Sequence, residues 1–156
     1  VMAAIFALAW IALLGCFAVA LLSLADPVWM VGLLILMPVA NDTGGWAIGV
    51  VWGKHPMSPS ISPKKSWEGF AGSVVCGLAV AMVLVYGILD KPWYLACIVA
   101  LAAVACSTIG DLCESLLKRD LGVKDMGSIF PGHGGMMDRI VSILMWEPFC
   151  FLIMAW

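Results

Sequence analysis

The fold class this sequence predicts is all-α: a polytopic membrane helix bundle of about five transmembrane helices, one of them broken. Three observations point there. Of the 156 residues, 63% are hydrophobic and 12% are charged, about half the charged share of a soluble domain. Mean hydropathy is +1.07. The apolar runs are long enough for roughly five crossings at about 20 residues each. Eight basic against ten acidic residues leave a net charge of -2, so no basic field attracts nucleic acid and no acidic tail is present. A single integral membrane domain over 1–156 is the expected organisation.

The spans follow in order. Residues 1–25 are apolar and stop at Asp26-Pro27, a pair that ends helices. The chain opens at Val1 inside an apolar run with no basic segment before it, so this stretch is not a signal peptide as it stands, and an N-terminally truncated chain is expected. Residues 28–52 form the second span. Pro38 and the polar run Asn41-Asp42-Thr43-Gly44-Gly45 interrupt it before Trp46 to Trp52 resume the apolar pattern, and a broken helix is the predicted form. Gly53 to Ser66 is polar, proline-rich and basic, which predicts an extramembrane loop or a short interfacial helix. Spans three and four run from about Trp67 to Leu89 and from Trp93 to Leu117. Asp90-Lys91-Pro92 between them is a tight turn that forces an antiparallel pair. A second polar loop, Lys118 to Gly135, precedes a last apolar segment, Met136 to Trp156, which carries Glu147-Pro148 in its middle. The six cysteines lie in apolar runs without CxxC or zinc-type spacing and are expected to be buried small hydrophobes.

Orientation follows from the basic residues, because cytoplasmic loops collect Lys and Arg. Lys54, Lys64, Lys65, Lys118, Arg119, Lys124 and Arg139, seven of the eight, fall in or beside the two polar loops, and only Lys91 lies at the opposite side. Two spans separate those loops, so both face the same side, expected to be the cytoplasmic face of the inner cell membrane. Trp29 and Trp93 then mark the outer interface, and Trp52 and Trp67 the inner one. No repeat supports a transporter built from duplicated halves.

Ionisable groups inside membrane segments are costly and point to a functional site. Asp111, Glu114, Ser115 and Lys118 fall at i, i+3, i+4 and i+7, one face of span four. Asp111 is expected about two turns below the basic end, roughly 10 Å, at headgroup depth. Glu114 and Lys118 also suit a simple intrahelical pair that snorkels. The following loop, KRDLGVKDMGSIFPGHGGMMDR, combines cations, a histidine and glycines. Lys and Arg can hold phosphates, Gly134-Gly135 can turn N–H groups to an anion, and Asp138 can offer a hard oxygen to Mg²⁺. A third cluster, Ser62-Pro63-Lys64-Lys65-Ser66-Trp67-Glu68-Gly69, reads as a capped helix start with Pro at its first position. Its lysines suit either positive-inside anchoring or phosphate binding. Asp42, in the expected break of span two, lines a wet cavity if that segment is unwound.

The run from Ser115 to Val141, SLLKRDLGVKDMGSIFPGHGGMMDRIV, closely resembles the signature of phosphatidate cytidylyltransferases, the CDP-diacylglycerol synthases. Ser115, Lys118, Arg119, Lys124, Asp125, Gly127, Phe130, Pro131, His133, Gly134, Gly135, Asp138 and Arg139 stand at the signature's spacings. NDTGGWAIGVVWGKHPMSPSISPKKSWEGFAGS also looks like the family, especially its actinobacterial members, and the resemblance covers about residues 40 to 141. It implies transfer of a cytidylyl group from CTP to phosphatidic acid, giving CDP-diacylglycerol and pyrophosphate for phospholipid biosynthesis, in a chain corresponding to the family's C-terminal catalytic portion. It further implies Mg²⁺ as cofactor, with or without a second cation. Asp111 and Asp138 would be the metal ligands. Lys64, Lys65, Lys118, Arg119, Lys124 and Arg139 would contact phosphates, with His133 and the Gly134-Gly135 turn near those of CTP. Ser115 and Asp125 belong to the substrate-binding signature, and Asp42 and Glu68 line or orient the site. The expected partners are CTP, phosphatidic acid and the bilayer, with a homodimer as a candidate assembly. One departure stands out: the signature ends in Asp where this chain has Val141.

Other readings compete with this one. The D-G-x2-A-R motif of CDP-alcohol phosphotransferases has no match here. A polyprenol kinase would need a changed acceptor pocket. A non-catalytic remnant of the family stands as an alternative because of Val141, whereas a transporter-like protein would suit the buried Asp42 and Asp111 as an ion pathway, but the dense basic loop argues for phosphates.

Overall fold

The computed structural model describes residues 9–58, 62–120, 122 and 137–155. Within them the chain is an all-α membrane bundle with one small hairpin. Helix α1 begins as a π-helical turn, Ala9–Leu13, and continues as Leu14–Leu21. Helix α2 is Pro27–Trp52. Strands β1 (Pro56–Ser58) and β2 (Ser62–Ser66) follow. Helix α3 runs from Trp67 to Ile88, its last part, Met82–Ile88, widening to π geometry. Helix α4 is Trp93–Asp120 and α5 is Met137–Ala155.

Three of these, α2, α3 and α4, are long and apolar enough to cross a membrane; the apolar parts of α1 (Trp10–Leu21) and α5 (Ser142–Ala155) are shorter. The core contains Leu33 and Met37 of α2, Val85 of α3, Val99 and Ala103 of α4, and Trp146 of α5, all fully buried. Val28, Val50, Val75, Val83, Leu101 and Leu152 are exposed on the outside of the bundle. Such a surface would aggregate in water and is at home against lipid tails.

Two sequence expectations need correction. The first is the broken second span, because α2 is continuous through Pro38 and the Asn41-Asp42-Thr43-Gly44-Gly45 run. An unwound backbone in hydrocarbon would leave N–H and C=O groups without partners, so keeping the helix is the cheaper solution. The glycines serve packing instead. A methyl group on Gly44 would stand 2.6 Å from the Gly72 carbonyl oxygen, one on Gly45 2.7 Å from Ser73 Oγ, and one on Gly72 2.5 Å from Ile48 Cγ1. Helices α2 and α3 therefore cross almost backbone to backbone, the contact that small residues permit between membrane helices. The buried Ser73 hydroxyl donates to the Asn41 carbonyl oxygen at 2.6 Å, tying the two helices beside the crossing.

The second correction concerns residues 53–66. Where they are described they are not an interfacial helix: Pro56–Ser58 and Ser62–Ser66 make an antiparallel hairpin in which Pro56 pairs with Ser66 and Ser58 with Ser62. The capped helix start accordingly lies four residues later than the Ser62-Pro63 pair suggests. Ser66 has extended backbone, and its Oγ accepts from the Gly69 amide at 3.1 Å. A serine at that position satisfies one of the amides left open at a helix start.

The tight turn between spans three and four is present. Asp90 adopts the left-handed conformation (φ 50°), which Asp tolerates better than most residues. The Lys91 amide donates to the Val85 carbonyl at 3.0 Å, closing the π-helical end of α3. All six cysteines are free; Cys106 and Cys150 are buried, whereas Cys76, Cys97 and Cys113 are half-buried and Cys16 is exposed. Burial as small hydrophobes thus holds fully for only two.

Gly72→Val should force α2 and α3 apart and destabilise the bundle by about 1–3 kcal/mol, the usual cost of overpacking. Gly15→Ala, where no atom lies within 4 Å of the added carbon, should be close to neutral. Thermal unfolding in detergent, followed by tryptophan fluorescence, measures both.

Candidate active site

A cavity of about 620 Å³ lies between α2, the hairpin, α3 and α4, within the roughly 300–1,000 Å³ range of small-molecule sites. Asn41, Ser73 and Thr108 line it from within helices α2, α3 and α4, and Ser62 and Lys65 line it from the hairpin, with Lys118 near the end of α4. Asp111 of α4 lies between the two sets, nine residues before the helix ends.

Asp111 is the junction of three elements. Lys65 Nζ, from β2, donates to Asp111 Oδ2 at 2.5 Å, with the two side chains only 29% and 22% exposed. Ser142 Oγ, from α5, donates to the other oxygen, Oδ1. Partial withdrawal from water makes both contacts stronger than the same pairs would be on an open surface. Ser115 Oγ lines the cavity but is engaged with its own helix, donating to the Asp111 carbonyl oxygen at 2.8 Å. One turn along, the buried Glu114 pairs with Lys118 Nζ at 2.6 Å. The expected intrahelical pair therefore forms, and it forms part of the cavity wall.

The hairpin that delivers Lys65 is clamped to the start of α3. Glu68 Oε1 meets His55 Nδ1 at 2.6 Å, and its Oε2 accepts from the backbone amides of Lys54 and His55, each at 3.2 Å. The Trp67 amide donates to the His55 carbonyl oxygen at 3.0 Å. Glu68 does not line the cavity; its carboxylate orients the segment that does.

Among the other predicted site residues, Asp42 lines the cavity from α2, where Asn41 Nδ2 donates to its Oδ1 at 3.2 Å. It does so from an intact helix, not from an unwound segment. Arg119 is exposed on the last turn of α4 and is not part of the cavity wall. Lys64 stands in β2, and Asp138, Arg139 and Val141 stand on the first turns of α5, but their side chains lie outside the described residues. Lys124, Asp125, His133, Gly134 and Gly135 lie wholly outside them. Among the described residues no group of three or more His, Cys, Asp or Glu side chains forms a metal cage.

Ser142 is the contributor that sequence reasoning missed. A signal existed, since it falls at i+4 from Asp138 and so on the same helix face. Asn41, Ser73 and Thr108 were equally unmarked as site residues, because a polar residue at one of these positions has no distinctive spacing.

A membrane helix bundle with a cavity at one end, lined by carboxylates and lysines, is the class that fold and site define. The chain belongs to the Cytidylyltransferase family, whose family model matches residues 1–156. It is 45% identical over 142 residues to a phosphatidate cytidylyltransferase of Mycobacterium leprae, covering 91% of this chain and 46% of that protein. A Haemophilus influenzae protein of the same name is 38% identical over 128 residues, covering 76% of this chain and 44% of the relative. One from Bacillus subtilis is 39% identical over 117 residues, 74% of this chain and 44% of the relative. The chain spans about half the length of the curated relatives it matches.

Glu68→Ala should release the hairpin, because two amide donors and His55 lose their partner. Hydrogen–deuterium exchange at residues 54–58 should accelerate several-fold, as expected when the charge-assisted bonds that hold the segment are lost. Exchange within α4 should stay unchanged.

Proposed function

We propose that this chain carries the cytidylyl-transfer site of a phosphatidate cytidylyltransferase: an oxygen of phosphatidic acid attacks the α-phosphorus of CTP, the bond to the β-phosphate breaks, and CDP-diacylglycerol and pyrophosphate leave. The observation that carries this reading is the Asp111 carboxylate facing a cavity together with Lys65 and Lys118. Both substrates are polyanions, so the work of the site is to neutralise charge and align the attacking and leaving oxygens. Lys65 and Lys118 do the first for phosphates in the cavity. The lipid phosphate waits at the depth of Asp111, where its acyl chains can remain in the bilayer while its headgroup enters between the helices. The basic end of the bundle, with the hairpin, then faces the cytoplasm of the inner membrane, the side from which CTP arrives.

Mg²⁺ fits this donor set. It dehydrates reluctantly and is usually held by one or two carboxylates plus substrate phosphate oxygens, so no closed protein cage is needed. Asp111 would hold it, with Asp138 as the second carboxylate that the family signature implies. The position beside Asp111 Oδ2 already attracts a cation, the Lys65 ammonium. When bound, the ion would supply charge stabilisation at the transferring phosphoryl group. Ser142 donates to Asp111 from the residue directly after Val141, so α5 still reaches the site from next to the position where the signature has Asp.

The test is Mg²⁺-dependent release of pyrophosphate from CTP and phosphatidic acid in mixed micelles. The parent chain should turn over, Asp111→Asn should lose at least a hundredfold, and Lys91→Ala, at the opposite end, should leave the rate within twofold. Undiminished activity in Asp111→Asn would contradict the assignment. A silent parent rescued by Val141→Asp would locate the deficit in the missing signature carboxylate, whereas silence in both would favour a non-catalytic member.

A further inference from the structure

We propose that Lys65 is the exchangeable counter-ion of Asp111: it occupies the cation's place on the carboxylate until nucleotide arrives, then transfers its ammonium to a phosphate as a divalent cation takes over the oxygen. This rests on the reading of Asp111 as a metal ligand. Three observations carry it. Lys65 Nζ lies 2.5 Å from Asp111 Oδ2, and Ser142 engages Oδ1, so both oxygens are already hydrogen-bonded. A divalent cation binding the same oxygen would share it with an ammonium of like charge in a site only about one-quarter exposed, where such repulsion is weakly screened. Lys65 also reaches the cavity from the hairpin on a flexible four-carbon stem, while the other cavity lysine, Lys118, is paired with Glu114 on its own helix.

The exchange keeps every charge compensated. Before it, Lys65 pairs with Asp111; after it, Asp111 pairs with the cation and Lys65 with a phosphate oxygen. A cation arriving alone would strand the Lys65 ammonium in a partly buried cavity, a costly state. Cation and nucleotide therefore favour each other's binding, as linkage requires. Lys65 acts on the cation through Asp111 and is in that respect a positioning residue.

The experiment measures binding of Mn²⁺ by electron paramagnetic resonance to the detergent-solubilised chain without nucleotide. Lys65→Met should bind Mn²⁺ about tenfold more tightly than the parent, a fold-change in keeping with removal of one partly buried competing charge. Lys65→Arg, which keeps the charge, should bind no more tightly than the parent. Adding Asp111→Asn to Lys65→Met should abolish the gain. Lys65→Gln gives the same reading should the Met variant fold poorly. Parent-like or weaker Mn²⁺ binding in Lys65→Met and Lys65→Gln, with Asp111→Asn still destroying it, would overturn the exchange and leave the metal assignment standing. Mn²⁺ binding indifferent to Asp111→Asn would overturn both.

Discussion

A carboxylate held well inside a membrane helix has to be compensated, and the partners of Asp111 organise the functional end of the bundle. The group sits nine residues before the end of α4, roughly 13 Å along the axis. A charge only partly exposed there is costly to leave without a partner. The compensation comes from outside α4: the Lys65 ammonium from the hairpin and the Ser142 hydroxyl from α5. Both elements are thereby anchored to α4 at one atom group. The requirement that makes Asp111 expensive is the same one that draws the cavity wall together.

The second constraint acts through absent side chains. Gly44 and Gly45 of α2 lie so close to α3 that a Cβ added at either, or at Gly69 or Gly72 opposite, would stand within 3 Å of an atom of the other helix. This close approach places Asn41, Asp42 and Gly45 on one wall of the cavity and Gly69 and Ser73 beside them. The Ser66 cap and the Glu68 clamp then set the start of α3 and the hairpin together, which presents Lys65 to α4. Packing between α2 and α3 and charge compensation at Asp111 are therefore linked through one short stretch, residues 65–73.

Much of this was legible in the sequence. Hydropathy located the apolar segments, Asp90-Lys91-Pro92 announced the antiparallel pair, and the spacing of Asp111, Glu114, Ser115 and Lys118 put them on one face. The Asn41–Gly45 run was misleading for a physical reason. Polar and glycine residues weaken a helix in water, but in hydrocarbon the helix keeps its backbone bonds, and glycine becomes a contact surface. The hairpin escaped because three- and five-residue strands carry too little alternation to read, and prolines mark a turn without naming its partner. The Lys65–Asp111 contact joins residues 46 positions apart; pairing at that range is set by tertiary packing and leaves no local pattern. Ser142 shared the helical spacing of Asp138 but lacked any charge to draw notice.

The most direct test of the account is a structure of the chain with Mn²⁺ and CTP bound, with the ion located by its anomalous scattering. The account predicts the Mn²⁺ signal at an Asp111 carboxylate oxygen, the nucleotide phosphates inside the cavity between α2, α3 and α4, and the Lys65 ammonium on a phosphate oxygen. An ion and nucleotide bound away from Asp111, with the Lys65–Asp111 pair intact, would contradict it.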